Sequence, residues 1–168
     1  MKTQKLLNFT SIFILSLLFT NAFAQKPNFS GNWVLNESKS QFGENRFRMG
    51  ATKAVVKQTD STIVADFTRR RPNGEETTAT EKYTLDGKEC VNSNADNTRI
   101  KKSTVSFSQD GKTMTITSNI KMDRNGDIME MKTTEVFKMS DDGKTITVES
   151  SSSSDRGEFK ATLVYDKQ

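Results

Sequence analysis

The chain contains no histidine. That excludes every Ser-His or Cys-His nucleophile pair and every zinc or copper centre built on imidazole. Chemistry is left to carboxylates, lysine, arginine, tyrosine and hydroxyls. Cys90 is the single cysteine, so no internal disulfide can form, and such a residue packs as a small apolar group more readily than it attacks a substrate. Asp123-Arg124-Asn125-Gly126-Asp127 alternates acceptors as a calcium loop does. Its glycine comes too early, and Thr134 stands where the closing glutamate belongs, so the segment reads as a hairpin turn. With no glycine-rich phosphate loop and no nucleophile elbow, neither a metal, a cofactor nor an enzymatic activity is expected.

The eight arginines are Arg46, Arg48, Arg69, Arg70, Arg71, Arg99, Arg124 and Arg156. All sit in or beside the connections of one parity, and a guanidinium is the forked donor suited to carboxylate or phosphate. Many acids share those connections, Glu75, Glu76, Asp123 and Asp155 among them. The rim is therefore close to neutral, which leaves local bidentate contacts rather than long-range steering of anions.

From Lys53 onward the sequence alternates, rich in Val, Ile, Thr and Phe, and shows no helical period. Asn73-Gly74, Asp86-Gly87, Asp110-Gly111, Asn125-Gly126 and Asp142-Gly143 punctuate it with tight-turn signals. Strands are expected over 31–36, 52–59, 62–70, 77–85, 88–93, 98–108, 113–122, 127–139, 144–150 and 158–166. Ser108-Gln-Asp-Gly-Lys-Thr-Met-Thr-Ile116 returns as Ser140-Asp-Asp-Gly-Lys-Thr-Ile-Thr-Val148, one hairpin design used twice. The serine run 150–154 is expected to be a mobile loop. These strands make an all-β, antiparallel up-and-down meander barrel of about eight to ten strands, with a short cap segment after the first. Links from even to odd strands are expected to be tight and to seal one end; the others are expected to ring a mouth.

Alternation groups Ile63, Ala65 and Phe67; Val105 and Phe107; Met114, Ile116, Ile120 and Met122; and Phe159, Ala161, Leu163 and Tyr165 on shared faces. Met129, Met131 and Phe137 fall with Thr133 and Glu135, and Ala79, Tyr83 and Leu85 with Glu81. Such a mixed face fits a barrel interior that admits water, or an outer face beside a bulge. Candidate ligand-binding residues are Phe67, Tyr83, Phe107, Met114, Ile116, Met131 and Phe137 for an apolar body, and Tyr165, Arg99 and Glu135 for a polar end. Phe29-Ser30-Gly31-Asn32-Trp33 opens the barrel. Trp33 is expected to plug one end, and Gly31 to admit a neighbouring backbone.

Lys2 and Lys5 precede an apolar run, Leu6 to Phe19, that ends in Ala22-Phe23-Ala24. This is the pattern of a secretory signal peptide over 1–24. One barrel domain over 25–168 would follow, exported to the periplasm or outside the cell. Loss of the two lysines takes the net charge from +4 to +2, too little to point to nucleic acid. The run is too short to span a membrane, and the mature chain has no second candidate.

The Phe29-x-Gly31-x-Trp33 opening, the meander, and the ending Thr162-Leu163-Val164-Tyr165-Asp166-Lys167 together resemble the calycin superfamily, that is, lipocalins and fatty-acid-binding proteins. The second group is closer in layout. Its last strand usually reads Thr-Arg-x-Tyr-Glu-Lys: Tyr165 falls at the family's head-group tyrosine, and Leu163 replaces its arginine. The resemblance implies non-enzymatic binding of a small hydrophobic or amphipathic molecule inside the barrel. A second reading is an envelope protein–protein interaction or assembly module with a side-chain-filled barrel. It would bind through the loops at 46–50 and 71–76. An enzyme using Glu81, Glu135 or Tyr165 as acid or base is the third.

Overall fold

The computed structural model describes residues 26–43 and 50–168. The signal segment 1–24 and the cap arginines Arg46 and Arg48 lie outside the described residues. Ten strands form: β1 Gly31–Leu35, β2 Lys53–Gln58, β3 Thr62–Arg70, β4 Glu76–Thr84, β5 Cys90–Ser93, β6 Arg99–Phe107, β7 Thr113–Arg124, β8 Asp127–Met139, β9 Thr145–Ser154 and β10 Gly157–Lys167. All sit in one sheet in the order β4-β3-β2-β1-β10-β9-β8-β7-β6-β5, and every pair is antiparallel. β1 pairs with β10, so the meander closes on itself at its termini.

The two edge strands, β4 and β5, face each other without a ladder between them. Asn92 of β5 bridges the gap instead. Its Oδ1 accepts from the Lys82 backbone N–H at 2.7 Å, and its Nδ2 donates to the Lys82 carbonyl at 3.0 Å. One side chain thus completes both hydrogen bonds that a backbone partner would have supplied to that residue. The result is a nearly closed barrel with one seam, the all-β antiparallel meander expected from the sequence.

Alternation sets the faces as expected. Ile63, Ala65, Tyr83, Leu85, Val105, Met114, Ile116, Ile146, Val148 and Leu163 are buried inside, while their sequence neighbours face outward. The repeated hairpins are identical in construction. In each, the first serine's carbonyl accepts from the turn glycine (Gly111 N to Ser108 O and Gly143 N to Ser140 O, both 2.9 Å). In each, its Oγ accepts from the following threonine's N–H (Thr113 and Thr145, both 3.0 Å).

Three expectations are corrected. The serine run is not a loop: Ser150–Ser154 continue β9, with Glu135↔Ser150 and Thr133↔Ser152 on one side and Ala161↔Ser150 and Phe159↔Ser152 on the other. Two flanking ladders hold a sequence of modest strand propensity in extended form. Loop length does not distinguish the two ends either. The even-to-odd links are 59–61, 85–89, 108–112 and 140–144, while 125–126 and 155–156 at the opposite end are shorter.

The closed end is sealed by the segment before β1. Phe29 is buried and meets Phe137 edge to face, with ring centroids 6.2 Å apart. Its N–H donates to Gln58 Oε1 at 2.9 Å, and Lys26 sits over the Phe107 ring at 4.7 Å. Trp33 plugs this end as expected, 2% exposed, with Nε1–H donating to the Phe29 carbonyl at 2.9 Å. What lies against Gly31 is a side chain rather than a backbone: Lys167 Cε would stand 2.7 Å from a Cβ there. With φ at +148°, the position is doubly suited to glycine.

Candidate functional site

Midway along the barrel the apolar lining is interrupted. Glu81 on β4, 2% exposed, and Lys101 on β6, 4% exposed, both point inward. Lys101 Nζ lies 2.8 Å from Glu81 Oε2 and 2.9 Å from the Tyr83 hydroxyl oxygen. The Tyr83 O–H donates to the same carboxylate oxygen. The three groups close a triangle, so both charges and the hydroxyl are paired in a place with almost no water. Glu135 of β8 stands 3.8 Å from Lys101, and Arg99 3.5 Å from Glu81 Oε1. Beside them Ser103 and Ser118, both 1% exposed, share a hydroxyl–hydroxyl bond of 2.8 Å.

Burial works against the ionised form of Glu81. The Lys101 charge and hydrogen bond, with Tyr83 and Arg69, outweigh it and bring its pKa down to about 2. Tyr83 is pushed far above the ordinary phenol value, first by burial and then by the negative charges of Glu81 and Glu135. At neutral pH the cluster therefore holds an ionised Glu81 and a neutral Tyr83.

All ten expected ligand-binding residues face the interior, at two levels. Phe107, Met114 and Phe137 are consecutive in register (Phe107↔Met114, Met114↔Phe137) and line the sealed end. Tyr83, Arg99 and Glu135 gather around Lys101, with Ile116 directly opposite Glu135. Phe67 and Met131 belong to the open end. Along β8, Met131 lies roughly 20 Å from Phe137 at ~3.3 Å per residue, so the apolar residues cannot form one continuous patch. Tyr165 is buried, but its O–H donates to the Ala51 carbonyl at 3.0 Å and lies outside the Lys101 triangle.

Sequence reading missed Lys101, although it shares a face with Arg99, Ser103 and Val105 by simple alternation. It also missed Arg69 as an inward residue. Arg69 stacks on Phe67 with Cζ 5.5 Å from the ring centre and makes no ion pair among the described residues. Arg70 and Arg71 instead pair locally with Glu76 and Glu75. Around the triangle the inner face thus carries Arg69, Arg99 and Lys101 against Glu81 and Glu135, a local excess of one positive charge. Cys90 is partly buried against the core, with Sγ 3.3 Å from the Ser103 carbonyl.

On the outer face, a groove of about 520 Å³ runs over Thr134, Glu149, Ser151 and Lys160 beside Gln41 and Gly43. Among the described residues no cluster of His, Cys, Asp or Glu could hold a metal ion, and no helix is long and apolar enough to cross a membrane.

No protein-family model and no curated protein matches the chain. Among solved structures it is similar to zebrafish ileal bile acid-binding protein complexed with cholic acid. That likeness has a TM-score of 0.49 and 16% identity, over 83% of this chain and 98% of the other.

Proposed function

We propose that the protein is an exported, non-enzymatic carrier or sensor of a small amphipathic molecule with an anionic head group, bound inside the barrel. The observation that carries this reading is the inner polar cluster and its unbalanced charge. Arg99 makes one long contact to an already paired Glu81, and Arg69 makes no ion pair among the described residues. A carboxylate, sulfonate or phosphate group placed between these guanidiniums and Lys101 would accept hydrogen bonds that the protein leaves unfilled. Its apolar body would lie toward the open end, against Phe67 and Met131. Phe107, Met114, Ile116 and Phe137 would form the floor, with Tyr83, Glu135 and Tyr165 fixing the walls near the head group. The test is native mass spectrometry of the gently purified protein together with uptake of fluorescent fatty-acid probes. A bound small molecule, or stoichiometric uptake, supports the proposal; neither appearing at micromolar protein contradicts it.

An assembly module is the second reading. The observations that favour it are that Glu81, Tyr83 and Lys101 satisfy one another and that a groove lies on the outer wall beside the cap. Pull-downs that survive changes at Arg69 and Arg99, but fail after replacement of 71–75 or of Gln41 to Gly43, would select it.

A further inference from the structure

The tip of the β7–β8 hairpin concentrates methionine. Met122 and Met129 are direct cross-strand partners, and Met131 follows two residues later on the same face, opposite Ile120. All three are partly buried. Directly opposed side chains have Cβ atoms about 5 Å apart and diagonal ones about 7 Å. A methionine places its sulfur on a flexible three-bond arm, so three thioethers can converge on one point. The two-residue turn Asn125-Gly126, with φ of 58° and 90°, locks the register that brings them together.

The donors are uncharged, so the softness of sulfur and not the local charge selects the ion. On the face that carries the three methionines the hairpin adds Asp127 directly opposite Arg124, whereas Asp123 and Glu130 lie on the outer face. Lys121 is opposite Glu130 and Lys132 opposite Asn119, both on the outer face. Arg99 is the cation facing Met122 from β6, and its guanidinium is directed to Glu81. A set of neutral sulfur donors with no imidazole selects soft monovalent ions, whereas hard divalent ions require oxygen.

We infer that Met122, Met129 and Met131 form a thioether site for a soft monovalent metal ion, Cu(I) by chemical class, at the open end of the barrel. The site shares Met131 with the ligand reading, which needs that residue only as an apolar surface that leucine would keep. Binding involves no change of oxidation state and no bond breaking in the protein.

Silver(I) is the redox-inert probe. The full purified protein, labelled at the methionine ε-methyl carbons, is titrated with silver nitrate in chloride-free buffer. The expected result is one equivalent bound by native mass spectrometry, with methyl shifts at Met122, Met129 and Met131 and not at Met114 or Met139. The volume-matched triple variant M122L/M129L/M131L should lose at least tenfold in affinity while keeping its circular dichroism and its midpoint in urea. Cys90→Ser should bind as the parent does. If no silver binds, if the triple variant binds as tightly as the parent, or if Cys90→Ser abolishes binding, the inference is overturned. A triple variant that misfolds is replaced by the single Met129→Leu, for which loss of silver binding supports the site and retention refutes it.

Discussion

Lys101 on β6 and Glu81 on β4 meet at 2.8 Å across the junction where the edge strands of the sheet share no backbone ladder. The pair therefore serves two purposes at once. It neutralises two charges inside the barrel, and it ties together walls that hydrogen-bonded strands tie elsewhere. Removing one partner leaves the other charged in a dry environment, which costs about 3–5 kcal/mol. Lys101→Met should lower the unfolding free energy in urea by about that much. The double variant Glu81→Gln/Lys101→Met should recover most of the loss, because no unpaired charge remains. A single variant within ~0.5 kcal/mol of the parent, the usual range for surface substitutions, would show that the pair lies in water.

Acid unfolding should report Glu81. Its carboxyl ionises at about 2 in the folded protein, against an ordinary 4.5. A depressed folded value means that the unfolded chain takes up the proton first. The stability is present above pH 4.5 and is lost as pH falls from there toward 2. Glu81→Gln should flatten this part of the curve in urea titrations at successive pH values. An unchanged slope would contradict the assignment.

The alkaline limb belongs to the tyrosines. Tyr83 and Tyr165 are the only two in the chain. Both are pushed above the ordinary value of 10, burial being the largest cause, with Glu81 and Glu135 adding for Tyr83 and Glu135 for Tyr165. A raised folded value means that stability is complete below pH 10 and declines above it, as the unfolded chain ionises first. Absorbance of tyrosinate near 295 nm should stay flat at pH 11 in the folded protein and rise only with loss of the β-sheet signal. An ordinary titration centred on pH 10 without unfolding would show that the rings are open to solvent.

Asn92 closes the seam locally. Asn92→Ala removes both bonds to Lys82. It should cost about 1–2 kcal/mol and speed hydrogen exchange at the Lys82 amide, leaving Thr115 and Val136 in the β7–β8 ladder unchanged. Equal protection at Lys82 in parent and variant would mean that another group supplies the bonds.

Much of this architecture was legible because each strand obeys a two-residue period and most of the hairpin turns carry a glycine. The Asp110-Gly111 and Asp142-Gly143 hairpins could be read directly, and β3 and β8 fall within the expected limits. The serines of β9 could not, since their extended form comes from ladders on both sides and not from their own preference. The sealing role of Phe29 and Lys26 depends on contacts with Phe137 and Phe107, about eighty or more residues away. Alternation could place Glu81, Lys101 and Arg69 on the inner face. It could not show that β4 and β6 approach across an unladdered seam, so the triangle that defines the candidate site was invisible until the sheet was closed.

On the proposed function, the inner cluster receives the head group of an amphipathic anion. The most direct measurement is a titration of the ¹⁵N- and methyl-labelled protein with a medium-chain alkyl carboxylate or sulfonate, read residue by residue by NMR. Saturable shifts should be concentrated at Arg69, Arg99, Glu81 and Lys101, and at Phe67 and Met131 toward the open end, and should weaken at least tenfold in Arg99→Met. Shifts confined to Gln41, Thr134, Ser151 and Lys160 on the outer wall, or none at millimolar ligand, would contradict it.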